Sequence, residues 1–227
     1  MIRYVLLDLD DTILDFLLSE EEALRKTLLA LEIEPTEEVV ATYSRINKLQ
    51  WKLLEQGRTT REALKVERFR LFFEELGLDR DAEAARVRYE ENLSRTCYFV
   101  PHALELLEVL QGKYRLYIVS NGITAVQNGR IAASGLARYF DGIFLSEDIG
   151  AVKPQKEFFD RCFAKIPNFD PEQAIIIGDS LSSDIQGGIN AGIRTCLFNY
   201  RNAPADPSII PDYEIFDLRD FPAILEG

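Results

Sequence analysis

Residues 1–15 read MIRYVLLDLDDTILD, and this stretch decides the predicted fold. Residues 4–9 form a short, largely apolar run, which is typical of a strand buried on both faces of a sheet. Three carboxylates, Asp8, Asp10 and Asp11, stand within four positions at its far end. The ends of the other predicted strands explain this arrangement.

Similar apolar runs recur along the chain, each bounded by turn or polar residues. They cover residues 116–119, 143–145, 174–177 and 195–198, with a weaker run at 213–218. Helical patterns lie among them, at residues 102–111, 124–133, 154–166 and 184–191. Because strands and helices alternate, the sequence predicts an α/β fold with a Rossmann-like, doubly wound parallel sheet.

Residues 16–95 break this alternation. They contain no strand-like run, and their apolar residues recur at helical spacing. Gly57 and Gly77 are the predicted helix stops. We therefore expect a helical domain inserted after the first strand, with residues 1–15 and 96–227 forming the core domain.

The insert has enough apolar side chains for a core of its own. Leu24, Leu28 and Leu31 share one helical face, and Tyr43, Trp51 and several phenylalanines follow. We expect these aromatic residues to pack together inside the insert rather than to contact a ligand.

Composition narrows the range of functions. With 227 residues, 47% of them hydrophobic, the chain can bury a sizeable core. A net charge of -12 disfavours nucleic-acid polymers and anionic membranes as partners, although a small anion could bind a local positive pocket. The three cysteines form neither a disulfide framework nor a CxxC metal pattern, and no signal-peptide pattern or long apolar run is present. We expect a cytoplasmic protein; the oligomeric state stays open.

The residues that follow the strands carry the chemistry. In open parallel sheets, ligands bind beyond the carboxyl ends of the strands. The polar stretches there are DLDDT (8–12), SNG (120–122), SED with VKP (146–148 and 152–154) and GDSLSSD (178–184). If these ends converge, they place several carboxylates beside one lysine, a hydroxyl and backbone amides. Oxygen ligands suit Mg²⁺, and the lysine, hydroxyl and amides suit a phosphate group, so the sequence predicts a magnesium and phosphate site.

Four motifs in this order, each at a strand end, resemble the haloacid dehalogenase superfamily in its phosphatase form. The resemblance covers residues 8–184 and implies a Mg²⁺-dependent phosphomonoesterase with a helical cap over residues 16–95. GRTTREALKVERF (57–69) and the stretch at 178–199 are similar to the pyrimidine 5′-nucleotidase branch that acts on noncanonical nucleotides. The implied substrate is a small phosphate ester, a nucleotide; phosphoglycolate or a sugar phosphate is the alternative.

The resemblance also assigns roles to the acidic residues. Asp8 becomes the nucleophile that forms an aspartyl-phosphate, and Asp10 the acid/base. In this resemblance, Asp8 and Asp179 bind Mg²⁺ by their side chains and Asp10 by its backbone carbonyl. Asp184 supports these ligands without binding the ion itself. Two residues apart on extended chain, Asp8 and Asp10 are expected to point the same way. The dehalogenase branch lacks the second aspartate, so Asp10 favours phosphate esters.

The remaining predicted site residues bind the phosphate. Ser120 and Lys153 take catalytic and substrate-binding roles, and Asn121 and Gly122 supply further donors. Arg58 lies in a loop of the insert, where family members contact substrate; an ordinary surface charge is the alternative.

Several residues near the motifs have simpler interpretations. Asp11 is expected to cap a turn, Glu147 to cap or solvate a loop, and Gly187 and Gly188 to permit close helix packing. Two non-enzymatic alternatives remain. The first is a phospho-acceptor domain, which the spacing of the acidic residues and the long insert disfavour. The second is an inactive binding module, which is disfavoured because no motif residue is missing.

Overall fold

The computed structural model describes residues 1–202, 204 and 206–227. Within this part of the chain, six parallel strands form one sheet. In chain order they are β1 (Tyr4–Leu7), β2 (Arg115–Ser120), β3 (Gly142–Leu145), β4 (Ala174–Gly178), β5 (Arg194–Phe198) and β6 (Tyr213–Ile215). Their order across the sheet is β3-β2-β1-β4-β5-β6, which confirms the predicted doubly wound fold.

The helices divide between the insert and the sheet. The insert holds α1 (Phe16–Ala30), α2 (Glu37–Glu55), α3 (Arg61–Glu75) and α4 (Ala82–Ser94). The later helices are α5 (Ala103–Leu110), α6 (Thr124–Ser134), α7 (Ser146–Ile149), α8 (Lys156–Phe163), α9 (Gln186–Ala191) and α10 (Phe221–Glu226). The predicted helix at 184–191 instead begins as a π-helical turn, Leu181–Ile185, and the short α7 was not predicted. None of the helices in the described part of the chain combines the length and apolar character needed to cross a membrane.

Strand β1 is buried on both of its faces. Val5 and Leu7 belong to an apolar layer that also contains side chains of α5 and α10. Tyr4 and Leu6 belong to the opposite layer, which contains side chains of α8. Successive residues of a strand point to opposite faces, so a strand covered on both sides needs an unbroken apolar run.

Beyond Leu7 the chain leaves the extended conformation earlier than predicted. The Asp8 amide still donates to the Ile177 carbonyl at 3.0 Å, but Asp11 adopts a φ of +57° and the chain turns back. The Asp11 Oδ1 atom accepts a hydrogen bond from the Phe16 amide at 3.0 Å. The expected capping role of Asp11 is confirmed, whereas a strand through residue 9 is wrong.

The chain divides into two compact units, Met1–Phe16 with Cys97–Gly227, and Leu17–Thr96. The second unit has an aromatic core: the Tyr43 ring lies 5.0 Å from Phe69 and 5.5 Å from Phe72, measured between centroids. Contrary to the prediction, Trp51 does not belong to this aromatic core. It is partly exposed, and the Arg61 guanidinium lies 5.8 Å from its ring centroid.

The helices of the second unit begin and end at recognisable signals. The hydroxyls of Thr36 and Thr60 accept hydrogen bonds from the first turns of α2 and α3. Gly57 and Gly77 follow the ends of these helices with φ of +66° and +65°, which glycine adopts without strain. Both glycines therefore act as the predicted helix stops.

Two glycines of α9 allow this helix to approach the sheet. A Cβ atom at Gly188 would lie 2.6 Å from methyl groups of Ile176 and Thr195, and one at Gly187 would lie 2.6 Å from the Phe159 ring. These distances are too short for any side chain. The expected role of Gly187 and Gly188 in close packing is confirmed.

Candidate active site

The sheet order brings the polar strand ends together. In the parallel ladder, Leu7 of β1 pairs with Ile118 of β2 on one side and with Ile177 of β4 on the other. Asp8 directly follows β1, Asp179 directly follows β4, and Ser120 is the last residue of β2. Because β1 lies where the chain switches sides, its carboxyl end opens into the crevice in which such folds bind ligands.

Lys153 forms the centre of this site. Its Nζ atom donates to Asp8 Oδ1 at 2.6 Å, to Asp184 Oδ1 at 2.6 Å and to the Val119 carbonyl at 2.8 Å. The side chain is buried, with 1% of the residue exposed. All three ammonium protons therefore have acceptors, which offsets the cost of burying the charge.

Asn121 holds the Lys153 backbone in place. Its Nδ2 atom donates to the Lys153 carbonyl at 2.9 Å, and its Oδ1 atom accepts from the Lys153 amide at 2.9 Å. Asn121 thereby fixes the loop that carries the lysine. The Asn121 side chain therefore positions Lys153, and the predicted phosphate binding by the Asn121 amide stays a prediction.

Three carboxylates adjoin the lysine. One oxygen each of Asp8, Asp179 and Asp184 lies within 4.8 Å of the others. With one ammonium against three carboxylates, the cluster lacks positive charge, and its oxygen donors suit a hard divalent cation such as Mg²⁺. Asp184 lies in this cluster, and its expected role of supporting the ligands without binding the ion stays a prediction.

Burial and the neighbouring charges shift the pKa values in this cluster. Desolvation raises the pKa of Asp8 to about 8, although Lys153 opposes the shift. Desolvation, with the neighbouring charges of Asp8 and Asp184, raises the pKa of Asp179 well above its ordinary value. Desolvation lowers the pKa of Lys153, but the charges of Asp184 and Asp8 outweigh it and hold that pKa above the ordinary value.

Gly178, the last residue of β4, makes room for Asp184. A Cβ atom at this position would lie 2.3 Å from both Cγ and Oδ2 of Asp184. The same carboxylate accepts a hydrogen bond from the Ser180 amide at 3.1 Å. Glycine at 178 is thus required for Asp184 to reach Lys153 and the other carboxylates.

We expect Gly178→Ala to displace Asp184 and to weaken Mg²⁺ binding, with a loss of stability of about 1–3 kcal/mol from overpacking. The matched control is Gly188→Ala, which meets the methyl groups of Ile176 and Thr195 but no carboxylate. Thermal unfolding and magnesium titration calorimetry measure the two effects. Both variants should lose stability, but only Gly178→Ala should lose Mg²⁺ affinity; an unchanged affinity in Gly178→Ala contradicts this assignment.

Asp10 lies in a second network, formed with helix α6. Arg130 Nη1 donates to Asp10 Oδ1, and Gln127 Nε2 donates to Asp10 Oδ2 at 2.6 Å. Gln127 Nε2 also lies 2.9 Å from Ser120 Oγ. Sequence reasoning found neither Arg130 nor Gln127. The available signal was a pair of polar residues three positions apart, on the helix that directly follows the SNG motif.

The other predicted residues are placed as follows. The Gly122 amide donates to Ser120 Oγ at 3.1 Å. Arg58 is exposed in the loop that joins α2 and α3 of the second unit. Glu147 Oε2 accepts from the Thr124 amide at 2.6 Å, so its carboxylate caps the first turn of α6, in agreement with the expected capping role.

Comparison with protein families decides the identity of the chain. Residues 2–192 match the model of the haloacid dehalogenase-like hydrolases. The chain belongs to this family. The family resemblance and the predicted hydrolase class are therefore confirmed.

Full-length relatives refine the comparison. HAD-hydrolase YfnB of Bacillus subtilis is 40% identical over 98% of this chain and 95% of its own. Pyrimidine 5′-nucleotidase PynA of Streptococcus pneumoniae is 35% identical over 96% and 92%, and pyrimidine 5′-nucleotidase YjjG of Escherichia coli is 29% identical over 98% and 97%. The crystal structure of YfnB bound to magnesium superposes with a TM-score of 0.95 over 100% of this chain and 99% of that one. The relatives thus include the predicted nucleotidase branch.

Proposed function

We propose that this hydrolase is a Mg²⁺-dependent phosphomonoesterase that forms an aspartyl-phosphate and acts on pyrimidine nucleoside 5′-monophosphates. One observation carries the chemistry: Asp8 lies in a carboxylate cluster against a buried lysine, while a second aspartate, Asp10, is held separately by α6. The similarity to PynA and YjjG supports the choice of substrate.

The carboxylate cluster fits magnesium. Asp8 and Asp179 would hold the ion by their side chains and Asp10 by its carbonyl, with Asp184 beside them. The bound ion supplies positive charge that offsets the repulsion between the Asp8 carboxylate and an anionic phosphate. The similar YfnB has been crystallised with magnesium.

The residues then act in sequence. A carboxylate oxygen of Asp8 attacks phosphorus as the bond to the leaving oxygen breaks, and Asp10 gives that oxygen a proton. Asp10 next takes a proton from a water molecule, which attacks the phosphoryl group, so that inorganic phosphate leaves and the Asp8 carboxylate is restored. Lys153 and Ser120 stabilise the charge on the phosphoryl oxygens.

The helical unit selects the leaving group in this proposal. The crystal structure of YfnB bound to magnesium reveals interdomain movement in that protein, which supports a cap that moves during catalysis. Arg58, exposed on the α2–α3 loop, is the proposed substrate contact of this unit. Loss of Arg58 should therefore raise KM more than it lowers kcat.

A panel of phosphate esters with Mg²⁺ tests the choice of substrate. We expect UMP and dUMP to exceed sugar phosphates in kcat/KM, and purine nucleotides to be slower because a pocket for the smaller base excludes them. The measurement is phosphate release at matched substrate concentrations. If phosphoglycolate exceeds UMP by about tenfold or more, the nucleotidase assignment is wrong, while the phosphatase chemistry stands.

Metal removal tests the charge argument. We expect EDTA to abolish turnover and Mg²⁺ to restore it: without the ion, burial favours the protonated form of Asp8, which is a poor nucleophile, and the ionised form repels the phosphate it must attack. Asp179→Asn should weaken Mg²⁺ affinity more than it lowers thermal stability. Undiminished turnover in metal-free buffer contradicts the proposal.

A further inference from the structure

The Asp10 carboxylate is bonded at both oxygens by one helix. Arg130 donates to Oδ1 and Gln127 to Oδ2, the latter at 2.6 Å. A carboxylate held at both oxygens cannot rotate without losing one of these bonds. Its orientation is therefore set by α6 rather than by its own loop.

The two donors are themselves fixed. Gln127 and Arg130 lie three positions apart on one face of α6, where they are 1% and 0% exposed. Arg130 Nη1 also donates to Gln127 Oε1 at 3.0 Å, and the guanidinium lies 5.7 Å from the Phe16 ring centroid. Both side chains are thus locked by packing and by each other, as precise positioning requires.

Stability alone is a weak reason for this arrangement. A fully buried arginine carries a large desolvation cost, and buried ion pairs are often no more stabilising than apolar side chains of similar size. Asp10, in contrast, remains 27% exposed at its side chain and so stays accessible. The pair combines a rigid, buried support with a reachable carboxylate.

We propose that Arg130 and Gln127 are positioning residues that hold the Asp10 carboxylate in line with the leaving oxygen of the substrate. This inference rests on the proposed function. Gln127 also contacts Ser120 Oγ at 2.9 Å, so the same amide links the proton-handling carboxylate to the phosphate-binding hydroxyl. Both residues are buried and act through their bonds to Asp10.

The dependence on leaving group separates this role from a structural one. Proton donation matters most when the leaving oxygen is basic, so misplacing Asp10 should harm a poor leaving group selectively. Phenyl phosphate and p-nitrophenyl phosphate differ only by a nitro group, which makes the second a much better leaving group. Rapid-quench measurement of aspartyl-phosphate formation with each substrate reports the step directly.

We expect Arg130→Met to slow this step about a hundredfold with phenyl phosphate, and no more than about tenfold with p-nitrophenyl phosphate. Arg130→Lys should recover part of the loss. The Asp10→Asn, Arg130→Met double variant should be no slower than Asp10→Asn alone, because both changes remove one function. The matched control is Arg115→Met, which removes an arginine paired with Asp141 at 2.9 Å and should resemble wild type on both substrates.

Other results overturn the inference. Equal losses on both substrates, or losses that multiply in the double variant, mean that Arg130 only supports the fold. If Arg130→Met does not fold, Arg130→Lys and Gln127→Met are compared on the same two substrates, and the same selective loss with phenyl phosphate is expected. An absence of any Asp8 adduct in active wild-type enzyme overturns the proposed function and this inference together, whereas an Asp8 adduct with the wrong leaving-group pattern overturns the inference alone.

Discussion

Asp8→Asn is expected to lose turnover by at least roughly four orders of magnitude, as other covalent enzymes do when their nucleophile is removed. The amide has nearly the shape of the carboxylate, so the protein should still fold and keep the Asp184 contact to Lys153. It cannot attack phosphorus and should acquire no label from a phosphorylated substrate. Steady-state assays and mass spectrometry of the quenched enzyme measure both outcomes.

Asp10→Asn is the informative partner of that variant. It keeps the nucleophile but lacks the acid/base, so with p-nitrophenyl phosphate it should form the adduct slowly and release it more slowly still. Identical behaviour of the two variants contradicts the sequential roles. An adduct that is stable in wild-type enzyme and yields no turnover favours the phospho-acceptor alternative.

Lys153→Met is expected to lower kcat/KM by at least roughly a hundredfold, by analogy with the loss of a single charge-stabilising donor. Lys153 is the cation that faces both Asp8 and Asp184, each at 2.6 Å. Without it, these carboxylates repel each other and the phosphoryl oxygens lose a nearby positive charge. Methionine keeps most of the buried volume, so the change tests charge more than packing.

A matched control is available on the neighbouring helix. Lys156→Met removes an exposed lysine that pairs with Asp160 at 2.5 Å, and should leave kcat/KM near the wild-type value. Circular dichroism confirms that both variants are folded. The removal of a charge-stabilising group usually lowers kcat/KM far more than about fivefold. A smaller decrease in Lys153→Met would therefore mean that another cation neutralises the phosphate.

Local sequence pattern was sufficient for much of the architecture. The apolar run of β1 and the helix stops at Gly57 and Gly77 follow from burial on both faces and from backbone conformation, which depend on adjacent residues. The end of β1 did not follow, because Leu9 is apolar and buried like the strand residues although it lies beyond the strand. Trp51 was assigned to the core by its aromatic character, but residue type alone does not determine which side of a helix is covered.

The polar strand ends were predictable because parallel strands present their carboxyl ends at one edge. Arg130 and Gln127 were not, since their role depends on β2 lying next to β1, which brings α6 beside Asp10. No local sequence pattern shows that β2 and β1 are neighbours in the sheet. Asp184 was recognised as part of a motif, but its place in the carboxylate cluster depends on the space that Gly178 leaves.

Detection of the covalent intermediate tests the central claim most directly. Active wild-type enzyme, quenched during turnover of a phosphate ester with Mg²⁺ and reduced with borohydride, should yield homoserine at position 8 in peptide mass spectrometry, because an acyl phosphate on Asp8 is reduced to the alcohol. Modification at Asp179 or Asp148 instead, or the absence of any adduct during active turnover, would contradict the account.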